Sequence, residues 1–361
     1  MSADSRARSA TVDLDDADGL LAADREGLLR AASMAGAQMR ATAAALDEGV
    51  LDPLRSDLPP RTVIWVASRG AAETAGLMLA AALGGSSAAP IVVASEVPPW
   101  IGALDVLVVA GDDAVDPVLV AAAATGTRRG ARVIVVAPPG GPLQEVAAGR
   151  AVLLEPRLRV PDDFGLARYF SAGLATLHVV DPGMRVDIAG LADVLDAEAL
   201  RNSAGRELFT NPAKTLADRM SGRDVVLCGD NAAALALARH AGAVLLRVGH
   251  QPVAAVGLAD LIVALHGGIA SGAANYETSL FHDEELDGPL PARIRTVVLA
   301  SDDERLAVAA RLTGYDGVDV ISAEDVPDVA AAPAGGRIEQ QLAQLAVRLE
   351  MTAVYLRLVR G

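Results

Sequence analysis

From Thr62 onward the chain repeats one phrase: a short β-branched run, a brief loop, then an Ala-rich stretch of helical periodicity. The runs Thr62–Ala67, Ile91–Ala94, Val106–Ala110, Val133–Ala137 and Ala151–Leu154 show no alternation of polar with apolar residues. A strand that is apolar on both faces has to be covered on both faces, which is the condition of a parallel sheet between two helical layers. Helical runs at Ala71–Leu83, Val115–Thr125 and Leu143–Ala148 supply that cover. A second set of strand-like runs follows at Val225–Cys228, Val244–Val248, Leu261–Leu265, Thr296–Ala300 and Val318–Ile321, with helices at Ala232–Ala241 and Arg305–Leu312. Arg61-Thr62-Val63-Ile64-Trp65 and Arg223-Asp224-Val225-Val226-Leu227 open the two sets alike, each leading to an Ala-rich helix. The expected fold is therefore α/β: two flavodoxin-like parallel-sheet sandwiches, each of three layers.

The flanks divide the chain. Residues 18–47 read as one helix, with Leu20, Leu21, Leu28, Leu29 and Met34 at helical spacing. A helical stretch from about Phe164 to Leu177 closes the first half, and Asp181-Pro182-Gly183 breaks it. One helix near Ile188–Leu200 lies in a connector, and a long helix from about Gly336 to Leu358 ends the chain. The expected domains are 1–177, with the leading helix, and 211–361, joined by a connector over 178–210.

Charge and composition narrow the function classes. A formal charge of −15 over 361 residues sets the chain against nucleic acid and against an anionic membrane surface. No apolar run approaches the roughly 18–20 residues of a membrane span, and the N-terminus has no apolar signal-peptide core. Cys228 is the single cysteine, so no intrachain disulfide can form, and a reducing cytoplasm is the expected setting. The sequence holds no G-x-G-x-x-G fingerprint and no Walker A loop, which argues against dinucleotide and nucleotide chemistry. His178, His240, His250, His266 and His282 keep no metal-ligand spacing, so neither metal nor cofactor is expected.

In open parallel sheets, ligands sit beyond the carboxyl ends of the strands. Ala67-Ser68-Arg69-Gly70 joins the first strand to its helix. Backbone N–H groups there, with the Ser68 hydroxyl and the Arg69 cation, suit a phosphate; an ordinary turn carrying a surface arginine is the plain alternative. Gly111-Asp112-Asp113-Ala114 follows the third run, where Asp112 or Asp113 is expected to cap the next helix, and Cys228-Gly229-Asp230-Asn231 has the same explanation. Asn211 and Pro212 fit the cap and first turn of a helix, which leaves the only lysine, Lys214, without a structural reason. His282, Asp283, Glu284 and Glu285 form a charged loop behind the flexible Gly267–Gly272 approach, and a histidine two residues from a carboxylate is a plausible proton-moving pair.

Phe209-Thr210-Asn211-Pro212-Ala213-Lys214-Thr215-Leu216-Ala217 resembles the Asn-Pro-Ala-Lys helix start of the bifunctional phosphoglucose/phosphomannose isomerase family, proteins with two sugar isomerase (SIS) domains. Gly222-Arg223-Asp224-Val225-Val226 stands at the matching distance. Phe281-His282-Asp283-Glu284 resembles the family's His-Asn-Glu motif, and Tyr355-Leu356-Arg357-Leu358-Val359-Arg360-Gly361 its late helix. The order agrees over nearly the whole chain.

The resemblance implies an aldose–ketose isomerase of the glucose-6-phosphate, mannose-6-phosphate and fructose-6-phosphate type, working through an enediol. Glu284 would carry the proton between C2 and C1, helped by His282 or Asp283, and Ser68, Arg69, Gly70 and Lys214 would hold the sugar phosphate. It also implies a homodimer with sites between subunits. The sequence departs from the pattern where the family has a Ser-Gly-Asn-Thr-type phosphate loop, which here is about Gly111-Asp112-Asp113-Ala114. No histidine follows His282, and no lysine follows Tyr355. Those departures raise the alternative of a catalytically silent protein that binds a sugar phosphate or an activated sugar and acts as a regulator.

Overall fold

The computed structural model describes residues 12–269, 294–324 and 337–360. The expected leading helix is three helices: α1 (Ala17–Ala23), α2 (Leu28–Ala32) and α3 (Ala35–Asp47). The first break has a local cause. Asp24 turns its carboxylate on the Leu28 and Leu29 amides at 2.7 and 2.9 Å, and Gly27 takes a left-handed φ of 69°, which a helix interior does not admit.

The first sheet is built from β1 (Thr62–Val66), β2 (Ile91–Ala94), β3 (Asp105–Ala110), β4 (Arg132–Val136) and the short β5 (Val152–Leu153). All pairs are parallel, in the order β2-β1-β3-β4-β5. Helices α4 (Gly70–Leu83), α5 (Pro117–Arg128), α6 (Gly141–Ala147) and α7 (Leu166–Val180) belong to this half. After α8 (Ile188–Arg201) and α9 (Pro212–Met220), the second sheet comprises β6 (Asp224–Gly229), β7 (Val253–Gly257), β8 (Ile294–Leu299) and β9 (Val318–Ile321). Its order, β7-β6-β8-β9, repeats the first four positions of the other sheet, again with all strands parallel. With α10 (Ala232–Arg247), α11 (Leu258–His266), α12 (Arg305–Arg311) and α13 (Ile338–Arg360), two parallel sheets and a long C-terminal helix complete the expected α/β fold.

Two expected strands are helical. Val244–Val248 completes α10, and Leu261–Leu265 lies inside α11; the true edge strand is β7 between them. Short apolar runs do not distinguish a buried strand from a buried helix turn. Nothing interrupts the helical hydrogen bonding of α10 before Gly249, so the run Val244-Leu245-Leu246 propagates it.

Side chains leave a strand alternately to its two faces, and the core obeys this. Val63, Trp65, Val106 and Val108 enter a central core that also holds Val225, Leu227, Val297 and Leu299 from the second sheet. Ile64, Val66, Leu107 and Val109 enter a separate cluster with α5 and α6. Cys228, Val298 and Ala300 pack with α11 and α12. The two halves therefore share their middle: α4 packs on α10, α7 on α4, and α13 on α10, α9 and α8. Trp65 sets the spacing there. Its indole N–H donates to the Ala72 carbonyl at 2.9 Å. A Cβ on Gly76 would stand 2.4 Å from its ring, and one on Gly173 3.0 Å, so α4 and α7 approach it through glycines.

Helix α13 is buried around nearly its whole circumference, the state expected of a helix lying between layers rather than on one. Its charged groups are consequently paired. The Arg348 Nε donates to Glu198 Oε1 at 2.8 Å, its Nη1 and Nη2 donate to the carbonyls of Ser322 and Ala323, and Arg201 reaches the other Glu198 oxygen at 2.6 Å. Tyr355 donates its hydroxyl to the Asn202 carbonyl at 2.6 Å.

Candidate functional site

The strand order reverses at β1 and β3 in the first sheet, and the loops that leave their carboxyl ends stand where open parallel sheets form their ligand crevice. One wall is Ser68-Arg69-Gly70. Arg69 is fully extended, and Gly70, at a φ of 68°, opens α4 in a conformation that glycine adopts freely. No side chain caps α4, leaving its first amides toward the crevice.

The opposite wall is acidic. The Asp113 carboxylate accepts the Val115 amide at 2.9 Å and closes a local turn. The cap of α5 is Asp116, not Asp112 or Asp113 as the sequence suggested; it accepts the Val118 amide at 2.8 Å, with Pro117 in the first turn. The helix therefore starts two residues later than expected. The neighbouring Ser68 hydroxyl is the main reason that the Asp116 carboxyl is held below the usual carboxylate range. Asp112 lies 3.8 Å from Arg69. The structure thus brings Ser68 and Arg69 together with Asp116 and Asp112.

Residues from the other end of this half complete the rim. Asp162 lies in a short 3-10 turn, Asp162–Phe164, and burial raises its carboxyl pKa, with the negative charge of Asp112 next in importance and Arg168 opposing. Tyr169 is buried and its phenol is pushed up to about 12 by that burial. Arg168 donates from Nη2 to the Tyr169 hydroxyl, and its guanidinium stands 4.4 Å from the tyrosine ring centre. Asp163 of the same turn pairs with Arg247 at the end of α10, which fixes the rim to the second half. Asp116, Asp162, Arg168 and Tyr169 were not among the candidates from sequence. Asp116-Pro117 carries a readable cap signal; the other three meet the crevice only through the fold.

Lys214 lies elsewhere. It is fully buried, with its ammonium donating to the carbonyls of Ala204 and Arg206 at 2.8 and 2.7 Å and lying 5.7 Å from the Tyr355 ring centre. Burial lowers its pKa. Asn211 caps α9 by accepting the Lys214 amide at 2.9 Å, and α9 leads to the amino end of β6, away from the strand ends that form the crevice. The structure does not bring Lys214 together with Ser68, Arg69 and Gly70. His282, Asp283 and Glu284 lie outside the described residues.

The second sheet has a matching reversal at β6 and β8. Asn231 caps α10 through the Ala233 and Ala234 amides at 3.0 Å each, and Asp230 accepts the Ser301 amide at 3.3 Å. Burial raises the Asp230 carboxyl pKa. Among the described residues no group of three His, Cys, Asp or Glu side chains could hold a metal ion, and no helix is long and apolar enough to cross a membrane.

No protein-family model and no curated protein matches the chain in sequence. Solved structures do match in fold. Tagatose-6-phosphate ketose/aldose isomerase from Escherichia coli superposes with a TM-score of 0.61 at 15% identity, over 98% of this chain and 95% of that one. A glucose-6-phosphate isomerase like protein from Thermus thermophilus gives 0.54 at 19% identity, over 97% and 96%. The C-terminal domain of glucosamine-fructose-6-phosphate aminotransferase from Francisella tularensis gives 0.56 at 10% identity, over 95% and 96%. At these identities the likeness is one of fold: the chain has the double parallel-sheet architecture of SIS-type phosphosugar isomerases over nearly its full length.

Proposed function

We propose that this protein binds a carbohydrate derivative in the crevice between β1 and β3 and serves as a binding or regulatory protein rather than as a fast isomerase. One observation carries the reading: both side chains that would grip a phosphate have a carboxylate beside them, Asp116 near Ser68 and Asp112 3.8 Å from Arg69. A phosphate brought to about 4 Å from either aspartate meets a repulsion of roughly 1 kcal/mol per unit charge in water and about 4 kcal/mol at the effective dielectric of a protein surface. Carboxylates are acceptors only, and they suit the hydroxyl groups of a sugar, which donate. In this reading Asp112, Asp116 and Asp162 would accept from those hydroxyls. A homodimer in the cytoplasm, needing no cofactor, belongs to this reading.

The second reading is an aldose–ketose isomerase acting on a hexose 6-phosphate. It is favoured by the fold and by the Ser68–Gly70 loop at the first strand's end. Glu284 would transfer the proton, with His282 or Asp283 as its helper. Lys214 has a structural role in both readings, because its ammonium is spent on two carbonyls.

Deuterium exchange separates the two. Fructose 6-phosphate is incubated with the protein in heavy water and followed by NMR, with Glu284→Gln in parallel. The binding reading expects no label at C1, together with a thermal-shift response to at least one sugar or sugar derivative. Label at C1 with aldose appearing, abolished by Glu284→Gln, would replace it with the isomerase reading.

A further inference from the structure

His240 of α10 and Glu350 of α13 meet inside the core that the two halves share. The His240 Nε2 and Glu350 Oε1 lie 3.0 Å apart, and the two side chains are 3% and 4% exposed. Glu350 also lines a small void with Met39 of α3, Met78 of α4, Phe170 of α7 and Leu195 of α8. It is the only polar side chain on that void, and a buried water needs two to four polar partners, so water does not screen the pair from that side.

The charges on the surrounding elements are engaged elsewhere. Besides His240, the charged group that acts on Glu350 among the described residues is Asp163, itself paired with Arg247 at the end of α10. Glu73 is the only charged residue of α4 and is exposed, as is Arg239 of α10. Arg40 of α3 is bound to Asp193 and Asp196 of α8, and Arg348 of α13 to Glu198. On α7, Arg168 is engaged by Tyr169, and His178 accepts the Val186 amide. Strand β7 carries no charge, and Arg295 of β8 pairs with Asp319. Burial raises the Glu350 carboxyl pKa, the His240 hydrogen bond opposes that shift, and Asp163 adds to it. Imidazolium on carboxylate and neutral imidazole on carboxylic acid are two places for the same proton. Removing it leaves a bare carboxylate in the core, and adding a second leaves a bare imidazolium; either is a lone buried charge.

We propose that this pair is a pH-sensitive joint between the two halves: His240 and Glu350 hold one shared proton in the native protein across neutral pH, and the joint weakens whenever the solvent favours another count. The unfolded chain sets the direction. There Glu350 titrates near its ordinary 4.5 and a histidine near about 6.5. Between those values both states carry one proton, and the contribution of the pair is level. Above about 6.5 the unfolded pair carries none, so the native state binds more protons and stability falls as pH rises. Below 4.5 the unfolded pair carries two, and stability falls as pH drops. The joint is firmest in mildly acidic solution and loosens on the alkaline side.

Urea unfolding of the whole protein from about pH 7 to about pH 9 tests this, with Glu350→Gln beside wild type so that other titrating groups cancel. The wild-type folding constant should fall about tenfold per pH unit relative to the variant, the linkage of one proton. A ratio that changes by less than about twofold per unit would overturn the proposal, because the native pair would already have released its proton. A second measurement needs no variant. The His240 ring nitrogens, followed by NMR in the folded wild-type protein, should keep constant shifts from about pH 5 to about pH 8.5, across the region where a free histidine titrates. A change of shift centred near about pH 6.5 would overturn the proposal even if Glu350→Gln failed to fold, because the ring would then exchange its proton independently of Glu350.

Discussion

Glu198 is the acid at the centre of the buried network between α8 and α13, and truncating it to alanine should be among the most damaging single changes in the molecule. Glu198 is fully buried, and Arg348 is 1% exposed. Glu198→Ala leaves the Arg348 guanidinium its two carbonyl partners, Ser322 and Ala323, and no negative charge. Breaking one side of a buried ion pair costs about 3–5 kcal/mol, because the surviving charge stays desolvated. For a chain of 361 residues unfolding as one unit, the unfolding entropy is about 0.75 kcal/mol/K, so the melting temperature should fall by roughly 4–7 °C. Differential scanning calorimetry against wild type reads this directly. Glu198→Gln keeps the shape and some hydrogen bonds and should fall between the two. The double change Glu198→Leu with Arg348→Met should recover much of the loss, since it removes both charges. A fall below about 1 °C for Glu198→Ala would refute the reasoning, because it would mean that Arg348 finds water or another acid at no cost.

Three further outcomes are expected. Gly76→Ala places a Cβ 2.4 Å from the Trp65 ring and should destabilise by about 1–3 kcal/mol; an unshifted denaturant midpoint, followed by tryptophan fluorescence, would show that α4 can simply move aside. Cys228 is buried, and burial pushes its thiol up to about 12, so a thiol reagent should leave it unmodified in the native protein at pH 8 and label it fully in guanidinium. Ser68→Ala removes the main cause of the low Asp116 pKa, so the Asp116 carboxyl measured by NMR should titrate at higher pH than in wild type. The sign for stability follows: a depressed carboxyl contributes stability above its unfolded value near 3.8, and the contribution is lost as pH falls through its folded value. The variant should be less stable than wild type at pH 7 and approach it in acid; an unmoved Asp116 titration would mean that the hydroxyl bond has no weight in solution.

Strands buried on both faces were legible because Thr62–Val66, Val106–Ala110 and Arg132–Val136 leave no polar face to mislead. The edge strand β7 was not, since Ala254 and Ala255 dilute its β-branched signal, while the neighbouring Val244–Val248 run looks more strand-like than it is. The site divides the same way. Ser68, Arg69 and Gly70 could be placed from the strand-to-helix junction alone. Asp162, Arg168 and Tyr169 could not, because α7 meets the crevice by tertiary packing and no spacing in the sequence records it. Lys214 drew notice by being unique, yet what it answers is a pair of backbone carbonyls at Ala204 and Arg206, and unpaired carbonyls have no sequence signature.

Helix α13 follows in the chain the helices it packs on most, α8, α9 and α10, and also α1, α2 and α4. During synthesis the apolar faces of those helices must wait for the last long segment to arrive. A nascent chain halted before Ile338 would leave the faces of α8, α9 and α10 that α13 covers open to solvent, a surface that chaperones and aggregation compete for. The same dependence ties the two halves together, because α13 covers α4 of the first half as well as α9 and α10 of the second.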